Sequence, residues 1–331
     1  MLHVCSYEDR LEGMDSLILM GESLCRADPE ISLRLTAPNA SVAVSNWARG
    51  WPEVTIRTET AAGLDGWDVK PWLLLQELKA GAQEAVWIDS DVIITRSVSQ
   101  MLREFPSDNL IVAEEWDRHN AIPVAHQWGW PAARPVPPVN SCFLRVTKTH
   151  QPLLEYWLKM TQDSRYREAQ RLPFERRPWH LASDQVLLTA LLSSEAFGDV
   201  SYDTIRIGRH IAQCAGSSGY RPLHRCFDIF RGLPPLIHSV GRKPWIPSDV
   251  PRNLRGFLLD FATDVSPYVL ASRRINRNLD INPDWLKPRT SLGALLRWLT
   301  AGHPALAGLP LAVIHAIFLR IGRMLRPNII E

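Results

Sequence analysis

The stretch Ala85-Val86-Trp87-Ile88-Asp89-Ser90-Asp91-Val92-Ile93-Ile94 places two aspartates inside a run of apolar residues. Such a run predicts a buried strand covered on both faces, where an unpaired carboxylate is costly. Residues two apart in an extended chain point to the same side, so Asp89 and Asp91 are expected to converge beyond the sheet edge. Their oxygens are ligands that Mg²⁺ and Mn²⁺ prefer, although a solvated turn between two short strands would give the same tripeptide.

Strand and helix patterns alternate before this stretch. Strands are predicted at 2–7, 31–35 and 54–57, and helices at 13–27, 42–48 and 70–79. The alternation predicts an α/β fold, a mainly parallel Rossmann-like sheet with helices on both faces. Ligands of such sheets bind beyond the carboxyl ends of the strands, toward which the two aspartates lie. No Gly-x-Gly-x-x-Gly or Walker loop follows the first strand, so dinucleotide and P-loop chemistry are not indicated.

The pattern breaks between Glu115 and Val139. This segment contains Trp116, Trp128 and Trp130 among prolines 123, 131, 135, 137 and 138. Long loops of this kind are often functional, and tryptophans can stack on sugar rings. Packing against its own domain is the alternative. Further on, we predict a strand at 141–146, a helix near 151–162, a helix opened by Ser183, and strands near Ile205, Ile207 and 236–237.

Four separate motifs share a common order with one protein family. They are Val86 to Val92 with the Asp-x-Asp, Asn140-Ser141-Cys142-Phe143, Ser183-Asp184-Gln185-Val186-Leu187-Leu188, and Ile237-His238-Ser239-Val240-Gly241-Arg242-Lys243-Pro244-Trp245. Together they resemble the family 8 glycosyltransferases, which include bacterial lipooligosaccharide galactosyltransferases and glycogenin. The resemblance spans residues 1–246 and leaves the C-terminal residues outside.

The resemblance implies a GT-A type fold and a hexosyltransferase that uses a nucleotide-diphosphate sugar, with a UDP-sugar as the expected donor. It implies a cation, Mn²⁺ or Mg²⁺, on Asp89, Asp91 and His238 that neutralises the departing diphosphate. The imidazole favours Mn²⁺. Lys243 would add a movable charge and Gly241 would let the backbone approach the phosphates. Without this context, His238 after an apolar strand is typical of a core histidine.

Lys70, Asp184 and Gln185 complete the implied reaction centre. Lys70 would add a further cation, although a lysine in a first helical turn is often solvated. Asp184 would orient the sugar or hold a cation nearby, and its alternative is a helix cap together with Ser183. Gln185 would lie against the reacting face of the sugar.

Other polar residues are expected near the donor. The resemblance groups Tyr7 with the donor-binding residues, and Asn140 would hydrogen-bond the donor hydroxyls, unless it is an ordinary turn residue. Glu114, Glu115 and Asp117 follow a predicted strand at 110–113. One of these acids could contact the sugar, and a solvated acidic turn is the alternative.

The family pattern also implies retention of anomeric configuration. No carboxylate pair clearly takes the acid and nucleophile roles of retaining hydrolases. A same-face displacement, in which the leaving phosphate accepts the acceptor's proton, is therefore our hypothesis. Three departures from the pattern bear on donor identity: the interval from His238 to Lys243 is one residue short, Cys142 replaces a glycine, and Thr189 replaces an asparagine.

Composition and cysteine pattern indicate the cellular compartment. The chain of 331 residues is 46% apolar and 22% charged, which is ordinary for a soluble protein. Its five cysteines are scattered without a Cys-x-x-Cys pair, and Met1 to Tyr7 resembles a strand more than an export signal. We therefore expect a cytoplasmic protein, with a catalytic domain at 1–246 and a helical, basic extension at 247–331.

The extension predicts a membrane contact. Residues 271–331 hold nine Arg or Lys against three acids, and the apolar residues of 291–326 are punctuated by Arg297, Arg320, Arg323 and Arg326. The apolar part is too short to span a bilayer comfortably. It is typical of a basic segment lying on an anionic leaflet, or of a helix that closes the domain's own core. The expected partners are a nucleotide-sugar donor, a glycan or glycolipid acceptor and a membrane surface, with no nucleic acid.

Two other functions fit parts of the pattern. A sugar nucleotidylyltransferase could use a similar sheet, but it normally carries a glycine-rich motif after its first strand, which is absent here. A catalytically silent sugar-nucleotide or glycan-binding protein could share the fold. The set Asp89, Asp91, His238 and Lys243 favours the transferase.

Overall fold

The computed structural model describes residues 2–60, 63–115, 124–214, 219–246, 253–279 and 281–325. Two compact units make up the chain. The first comprises Met1–Gly21, Asp28–Ser90 and Ser99–Arg206, and the second comprises Glu22–Ala27, Asp91–Val98 and Ile207–Glu331. Predictions that involve Trp116, Asp117, Pro123, Asp280 or Arg326 lie outside the described residues.

The first unit is built on a seven-stranded sheet with the order β3-β2-β1-β4-β7-β6-β8. Its strands are β1 His3–Tyr7, β2 Ser32–Thr36, β3 Val54–Arg57, β4 Glu84–Ile88, β6 Leu110–Glu114, β7 Val139–Thr147 and β8 Tyr202–Ile205. Only the pairings of β7 with β4 and β6 are antiparallel. The predicted α/β fold with a mainly parallel sheet is therefore confirmed.

Eight helices accompany the sheet in the described residues. They are α1 Met14–Ala27, α2 Val42–Ala48, α3 Lys70–Lys79, α4 Val98–Leu102, α5 Val124–Gln127, α6 Gln151–Thr161, α7 Ser164–Gln170 and α8 Asp184–Ser193. Five of them (α1, α2, α3, α6 and α8) were predicted, and α4, α5 and α7 were not. In α3, Pro71 stands in the first turn, where its missing N–H costs nothing. Leu74 and Leu78 of α3 join the apolar core with Trp87 of β4 and Leu144 of β7.

One edge of this sheet collects the polar residues. Because β7 runs antiparallel to its two neighbours, it begins where β4 and β6 end. The backbone N–H of Asp89 donates to the carbonyl of Cys142 (2.9 Å), just past the end of β4. The first residues of β7, the residue after β6 and the residue after β4 therefore lie at the same edge.

The second unit contains a smaller sheet with the order β5-β10-β9. Its strands are β5 Val92–Ile94, β9 Ile211–Cys214 and β10 Leu236–Ser239. The run 85–94 is thus two short strands that belong to different sheets. The alternative of two short strands is therefore right, but its solvated turn is wrong, because Ser90 and Asp91 between the strands are buried. Strands β5 and β10 are antiparallel, and His238 pairs with Val92.

The described residues of the second unit form five further helices: α9 Pro222–Arg231, α10 Leu254–Asp264, α11 Pro267–Asn276, α12 Ser291–Leu299 and α13 Leu309–Leu325. Asp264 connects α10 to α12, because its carboxylate accepts from the backbone N–H groups of Arg289 and Thr290 and pairs with buried Arg297 (3.2 Å). Along the described residues, each helix falls short of the combined length and hydrophobicity that a bilayer crossing needs.

Candidate functional site

Lys70 is the centre of a buried ionic cluster in the first unit. Its Nζ lies 3.2 Å from Asp89 Oδ1 and 3.2 Å from Asp184 Oδ2, and it donates to Ser141 Oγ at 2.7 Å. The indole N–H of Trp87 donates to the same oxygen of Asp89 at 2.6 Å. Lys70 is therefore not the solvated lysine of the alternative interpretation, because it is buried between two carboxylates.

The charge balance of this cluster keeps the lysine protonated. Burial alone would lower the pKa of Lys70, but the carboxylates of Asp184 and Asp89 outweigh it and raise that pKa. One ammonium facing two carboxylates leaves a net negative charge when both acids are ionised. Only a cation or a proton can balance that charge.

Asp184 contributes through its side chain rather than as a helix cap. Its Oδ2 accepts from Ser141 Oγ at 2.7 Å in addition to pairing with Lys70. Ser183 occupies the N-cap position of α8 without a side-chain capping bond. The alternative in which Ser183 caps α8 is wrong, and the position at the start of α8 instead delivers Asp184 to the sheet edge.

Glu115 holds two of the predicted sugar-binding amides. Its Oε2 accepts from Asn140 Nδ2 at 3.0 Å and from Gln185 Nε2 at 2.7 Å. Asn140 Oδ1 in turn accepts the backbone N–H of Cys142 at 2.9 Å. The carboxylate is buried, so the acidic turn at this residue is not solvated. Glu115 therefore connects Asn140 and Gln185, although the sequence analysis identified it only as one of three acids that could contact the sugar.

Asp91 and His238 meet in the second unit. His238 Nε2 lies 3.4 Å from Asp91 Oδ1, and both side chains are buried. Lys243 Nζ is in close contact with Asp91 Oδ2 and donates to the carbonyl of Ser239 at 2.6 Å. The antiparallel pairing of β5 and β10 causes this meeting, because Asp91 directly precedes the residue that pairs with His238.

One oxygen of this carboxylate is left open. Within the described part of the chain, Asp91 Oδ1 receives no hydrogen bond of normal geometry. Burial alone would raise the pKa of Asp91, but Lys243 and His238 together hold it below its usual range. The carboxylate is therefore ionised with one buried oxygen and an imidazole nitrogen facing each other. Such an oxygen–nitrogen pair is a typical half of a divalent-metal site.

Asp89 belongs to the first unit and stands two residues before Asp91 in the chain. Two residues of extended chain reach at most about 7 Å, so the peptide backbone itself limits how far these aspartates can separate. The three predicted metal ligands, Asp89, Asp91 and His238, each offer one ligand atom of a type that divalent cations use.

Tyr7 and Gly241 occupy more isolated positions. The hydroxyl of Tyr7 donates to Asp9 Oδ2 at 3.1 Å, and Asp9 also accepts the backbone N–H of Gly66. Gly241 adopts a φ of +74°, a left-handed conformation that favours glycine in the turn before Lys243. The roles of both residues at the donor remain predictions.

The aromatic segment packs on its own domain in its described part. Trp128 stacks on Trp130 with ring centroids 5.0 Å apart, and its indole N–H donates to the carbonyl of His180 at 3.2 Å. Trp128 is a buried member of the main core. For Trp128 the packing alternative is therefore correct; Trp130 is half-buried against the same core, and sugar stacking on it stays a prediction.

Sequence reasoning did not single out Ser141 or commit to Glu115. Both follow a pattern that could have identified them, because each stands at a strand end on the edge that carries Asp89. Their partners are distant in the chain: 43 residues separate Ser141 from Asp184, and 70 separate Glu115 from Gln185. The strand order of the sheet and the packing of α8 against β7 bring these pairs together.

No protein-family model and no curated protein matches this chain. Among solved structures, the galactosyltransferase LgtC in complex with donor and acceptor sugar analogues is similar, with 16% identity over 86% of this chain and 98% of its own and a TM-score of 0.48. The glycosyltransferase GlyE of Streptococcus pneumoniae TIGR4 is similar over 86% of this chain and 66% of its own, with 14% identity and a TM-score of 0.48. Mouse xyloside xylosyltransferase 1 is similar over 74% of this chain and 99% of its own, with 14% identity and a TM-score of 0.47.

Proposed function

We propose that this protein is a metal-dependent, retaining glycosyltransferase that moves a hexose from a UDP-sugar to a glycan or glycolipid. The observation that carries the proposal is the open oxygen of Asp91 facing His238 Nε2, with Lys243 on the other oxygen of the same carboxylate. The four ordered motifs of the sequence support the same reaction. The buried lysine and amide clusters of the first unit supply the remaining polar groups.

The donor set fits a divalent cation. Asp89, Asp91 and His238 would hold Mn²⁺ or Mg²⁺ through two carboxylates and an imidazole. A bound cation would neutralise the diphosphate and so make it a better leaving group. The open oxygen of Asp91 supports this proposal, because the ring nitrogen of His238 lies 3.4 Å from it without forming a hydrogen bond of normal geometry, and a cation would satisfy both groups.

Lys243 would deliver a second positive charge to the phosphates. Its side chain is the more exposed member of its ion pair, and it follows a glycine turn. A flexible ammonium can exchange Asp91 for a phosphate oxygen with little backbone movement. Lys70 would act differently, since it is fixed between two carboxylates and would orient them rather than the donor.

Glu115 would fix the two amides that face the sugar. An amide whose N–H group is already donated to a carboxylate has its orientation set before the substrate binds. We propose that Asn140 binds donor hydroxyls and that Gln185 supports the reacting face. The acceptor would attack on the face that the diphosphate leaves, and the departing phosphate oxygen would take its proton.

Hydrolysis of a panel of nucleotide sugars, with and without Mn²⁺, tests the proposal. We expect UDP-hexose consumption that requires the cation and is lost in His238→Ala. The anomeric configuration of a transfer product, assigned by NMR, tests retention. Cation-independent hydrolysis would refute the metal role, and absence of any turnover would favour a silent binding protein.

We also propose that the second unit rests on an anionic membrane surface. Helix α12 exposes apolar side chains and buries a charged one, the reverse of a typical helix in a soluble protein. Its buried residues are Gly293 and Arg297, while Trp298 is 77% exposed. Helix α9 shows the same pattern, with Arg225 and Asp228 buried and Phe230 88% exposed. The remaining exposed apolar residues of α9, α12 and α13 are Leu223, Phe227, Leu292, Leu295, Leu299, Val313, Ile314, Ile317, Phe318 and Ile321.

Charge favours a lipid leaflet as the partner. Along the described side chains of α9, α12 and α13, the acidic residue Asp228 is buried, whereas Arg231 and Arg320 are exposed. Apolar side chains interspersed with arginine are typical of helices that lie in the headgroup region. The core-closing alternative holds for part of α13, since Leu311 packs against Val265 and Ala307.

Vesicle sedimentation of the full chain tests this surface. Vesicles with phosphatidylglycerol should carry the protein into the pellet, and neutral phosphatidylcholine vesicles should carry less. The double variant Trp298→Ser, Leu299→Ser should weaken pelleting, because both side chains are exposed and their loss leaves the interior unchanged. Equal partitioning of variant and wild type would remove α12 from the proposed surface.

A further inference from the structure

Exposed apolar side chains of the first unit gather in two short segments. Among the described residues of that unit, six large apolar side chains are exposed, and four of them fall within 66–69 or 172–179. They are Trp67, Leu172, Phe174 and Trp179. A local concentration of exposed aromatic rings on a sheet domain marks a binding surface more often than scattered single residues do.

Arg177 joins two of these rings into one platform. Its guanidinium carbon lies 5.4 Å from the ring centroid of Trp67 and 5.7 Å from that of Phe174. Trp67 is 39% exposed and Phe174 is 52% exposed, so both rings contact the arginine and still present surface to solvent. We call Trp67, Phe174 and Arg177 the aromatic–arginine platform.

The arginine in this platform is a fixed support. Its Nε donates to the carbonyl of Leu172 at 3.0 Å, and one terminal nitrogen donates to the carbonyl of Ala182 at 3.0 Å and to the side chain of Gln170. The other terminal nitrogen donates to the carbonyl of Gln170 at 3.2 Å. Four of the five N–H groups of a guanidinium are thus used, which excludes a bidentate grip on a phosphate or carboxylate.

The backbone next to Trp67 is also anchored. Asp68, the following residue, accepts the hydroxyl proton of Tyr166 at 2.8 Å. Tyr166 is fully buried, so this bond ties the segment that carries Trp67 to the domain interior. An aromatic ring with one face covered and its backbone anchored offers its free face at a low cost in conformational entropy.

The platform is continuous in the chain with the buried ionic cluster. Trp67 lies in a 3-10 helix, Gly66–Val69, that leads directly into Lys70. Three residues span at most about 10 Å. On the other side, the segment that carries Phe174 continues through the 3-10 helix Trp179–Leu181 to Asp184, which pairs with Lys70. Both arms of the platform therefore end at residues of the same cluster.

The chemistry of the platform selects among ligands. A hexose ring has a face of C–H groups and a rim of hydroxyls, so it matches an aromatic face that has polar neighbours. A protein partner would need at least about 1,200 Å² of total buried area, much more than two rings supply. A diphosphate would need several free donors, and Arg177 has only one N–H group outside these four bonds.

We propose that the aromatic–arginine platform binds a sugar ring of the acceptor glycan, with stacking on Trp67 and Phe174. This inference rests on the proposed glycosyltransferase function. It assigns the acceptor to the class of oligosaccharides with at least two rings, one at the reaction centre and one on the platform. The platform contributes binding and orientation and takes no part in bond breaking.

The variants Trp67→Ala and Phe174→Ala test the platform, with lactose, maltose and cellobiose as acceptor probes. We expect the KM for the best disaccharide to rise about tenfold in Trp67→Ala, the loss typical of one aromatic contact, while donor hydrolysis without acceptor stays within about twofold of wild type. Trp67→Phe should recover most of the affinity. Phe257→Ala, at a 43% exposed aromatic residue of the second unit, is the matched control and should leave both activities unchanged.

Two results would overturn the inference. One is an unchanged disaccharide KM in both alanine variants, and the other is a parallel loss of donor hydrolysis, which would assign Trp67 to the donor side. Saturation-transfer NMR with the same disaccharides needs no turnover. If the wild type hydrolyses no nucleotide sugar, the proposed function fails, and loss of the NMR signal in Trp67→Ala still decides whether the platform binds sugar.

Discussion

Lys70 and Lys243 each neutralise an aspartate of the Asp-x-Asp motif, but their surroundings differ. Lys70 lies in a closed network in which Asp89, Asp184 and Ser141 all contact its ammonium. Lys243 contacts one oxygen of Asp91 and a backbone carbonyl, and the second oxygen of Asp91 lacks a donor among the described residues. Lys70 thus completes a hydrogen-bonded network, whereas Lys243 leaves one oxygen of Asp91 without a hydrogen bond.

This difference indicates which part of the motif is prepared for a ligand. A fully satisfied buried network rigidifies its members and resists rearrangement. An ionised oxygen left open beside an imidazole gains free energy when a cation arrives. The side chain of Asp89 is 25% exposed and already holds two donors, while that of Asp91 is 6% exposed and holds one. We therefore expect Asp91 to be the more demanding ligand.

Replacing Asp91 should give the largest effect. In Asp91→Asn we expect cation-dependent donor hydrolysis to fall about 10³-fold, because the amide cannot balance the charge of a divalent ion. Initial rates over a range of Mn²⁺ concentrations measure it. Asp284→Asn, at a fully exposed aspartate of the same unit, is the control and should retain wild-type rates.

Replacing Asp89 sharpens the comparison between the two aspartates. In Asp89→Asn we expect a loss of about 10²-fold, smaller than that of Asp91→Asn, since Trp87 and Lys70 already share its charge. If the two variants lose the same activity, the expectation that Asp91 matters more than Asp89 is wrong. A larger loss in Asp89→Asn would mean that Asp89 is the more important ligand.

The two lysines should differ in how they affect stability. Lys70→Met leaves Asp89 and Asp184 without their cation, so the free energy of unfolding should fall by about 3–5 kcal/mol. Lys243→Met should cost about 1–2 kcal/mol, because its ammonium is partly exposed and His238 remains beside Asp91. Urea unfolding of each variant measures the two values.

Added Mn²⁺ separates the two lysine variants further. A cation that binds the folded state stabilises it by mass action, so Mn²⁺ should restore Lys243→Met by neutralising Asp91 through the oxygen that faces His238. It should not restore Lys70→Met, where the lost contacts hold Asp184 as well as Asp89. Equal rescue of both variants would contradict the claim that the Lys70 network and the Asp91–His238 pair respond differently to a cation.

Much of the fold could be predicted from local patterns. The bounds of α2, β3 and α3 agree with the sequence prediction because apolar spacing and turn residues fix these elements locally. The pairing of Asp91 with His238 was predicted from the family motifs, and the antiparallel register of β5 and β10 provides it.

Long-range pairing could not be predicted in the same way. Whether Lys70 is solvated or buried depends on Ser141, 71 residues away, and on the strand order that places β7 beside β4. Single-residue patterns carry no information about such neighbours. The division of the run 85–94 between two sheets was missed for the same reason, since a buried strand has the same apolar residues in either sheet.

A smaller effect comes from Asp68, the residue after Trp67, which accepts a hydrogen bond from buried Tyr166. Burial raises the pKa of Asp68 to about 7; Asp184 and Asp65 also raise it, whereas the hydroxyl of Tyr166 and the guanidinium of Arg167 lower it. In the unfolded chain this carboxyl ionises near its ordinary value of 3.8, so the folded state retains a proton that the unfolded state has lost. The contribution of Asp68 to stability is therefore complete at low pH and declines as pH rises toward 7.

The variant Asp68→Asn removes this dependence while its amide oxygen can still accept from Tyr166. Relative to wild type, its free energy of unfolding should rise by about 2 kcal/mol between pH 5 and pH 7, since each pH unit in this window contributes about 1.4 kcal/mol until the folded group itself begins to ionise. Urea unfolding at both pH values measures the difference. A difference that stays constant with pH would mean that Asp68 is already ionised in the folded protein. The acceptor of the Tyr166 hydroxyl would then be a charged carboxylate, as in the two lysine clusters, rather than a neutral carboxyl group.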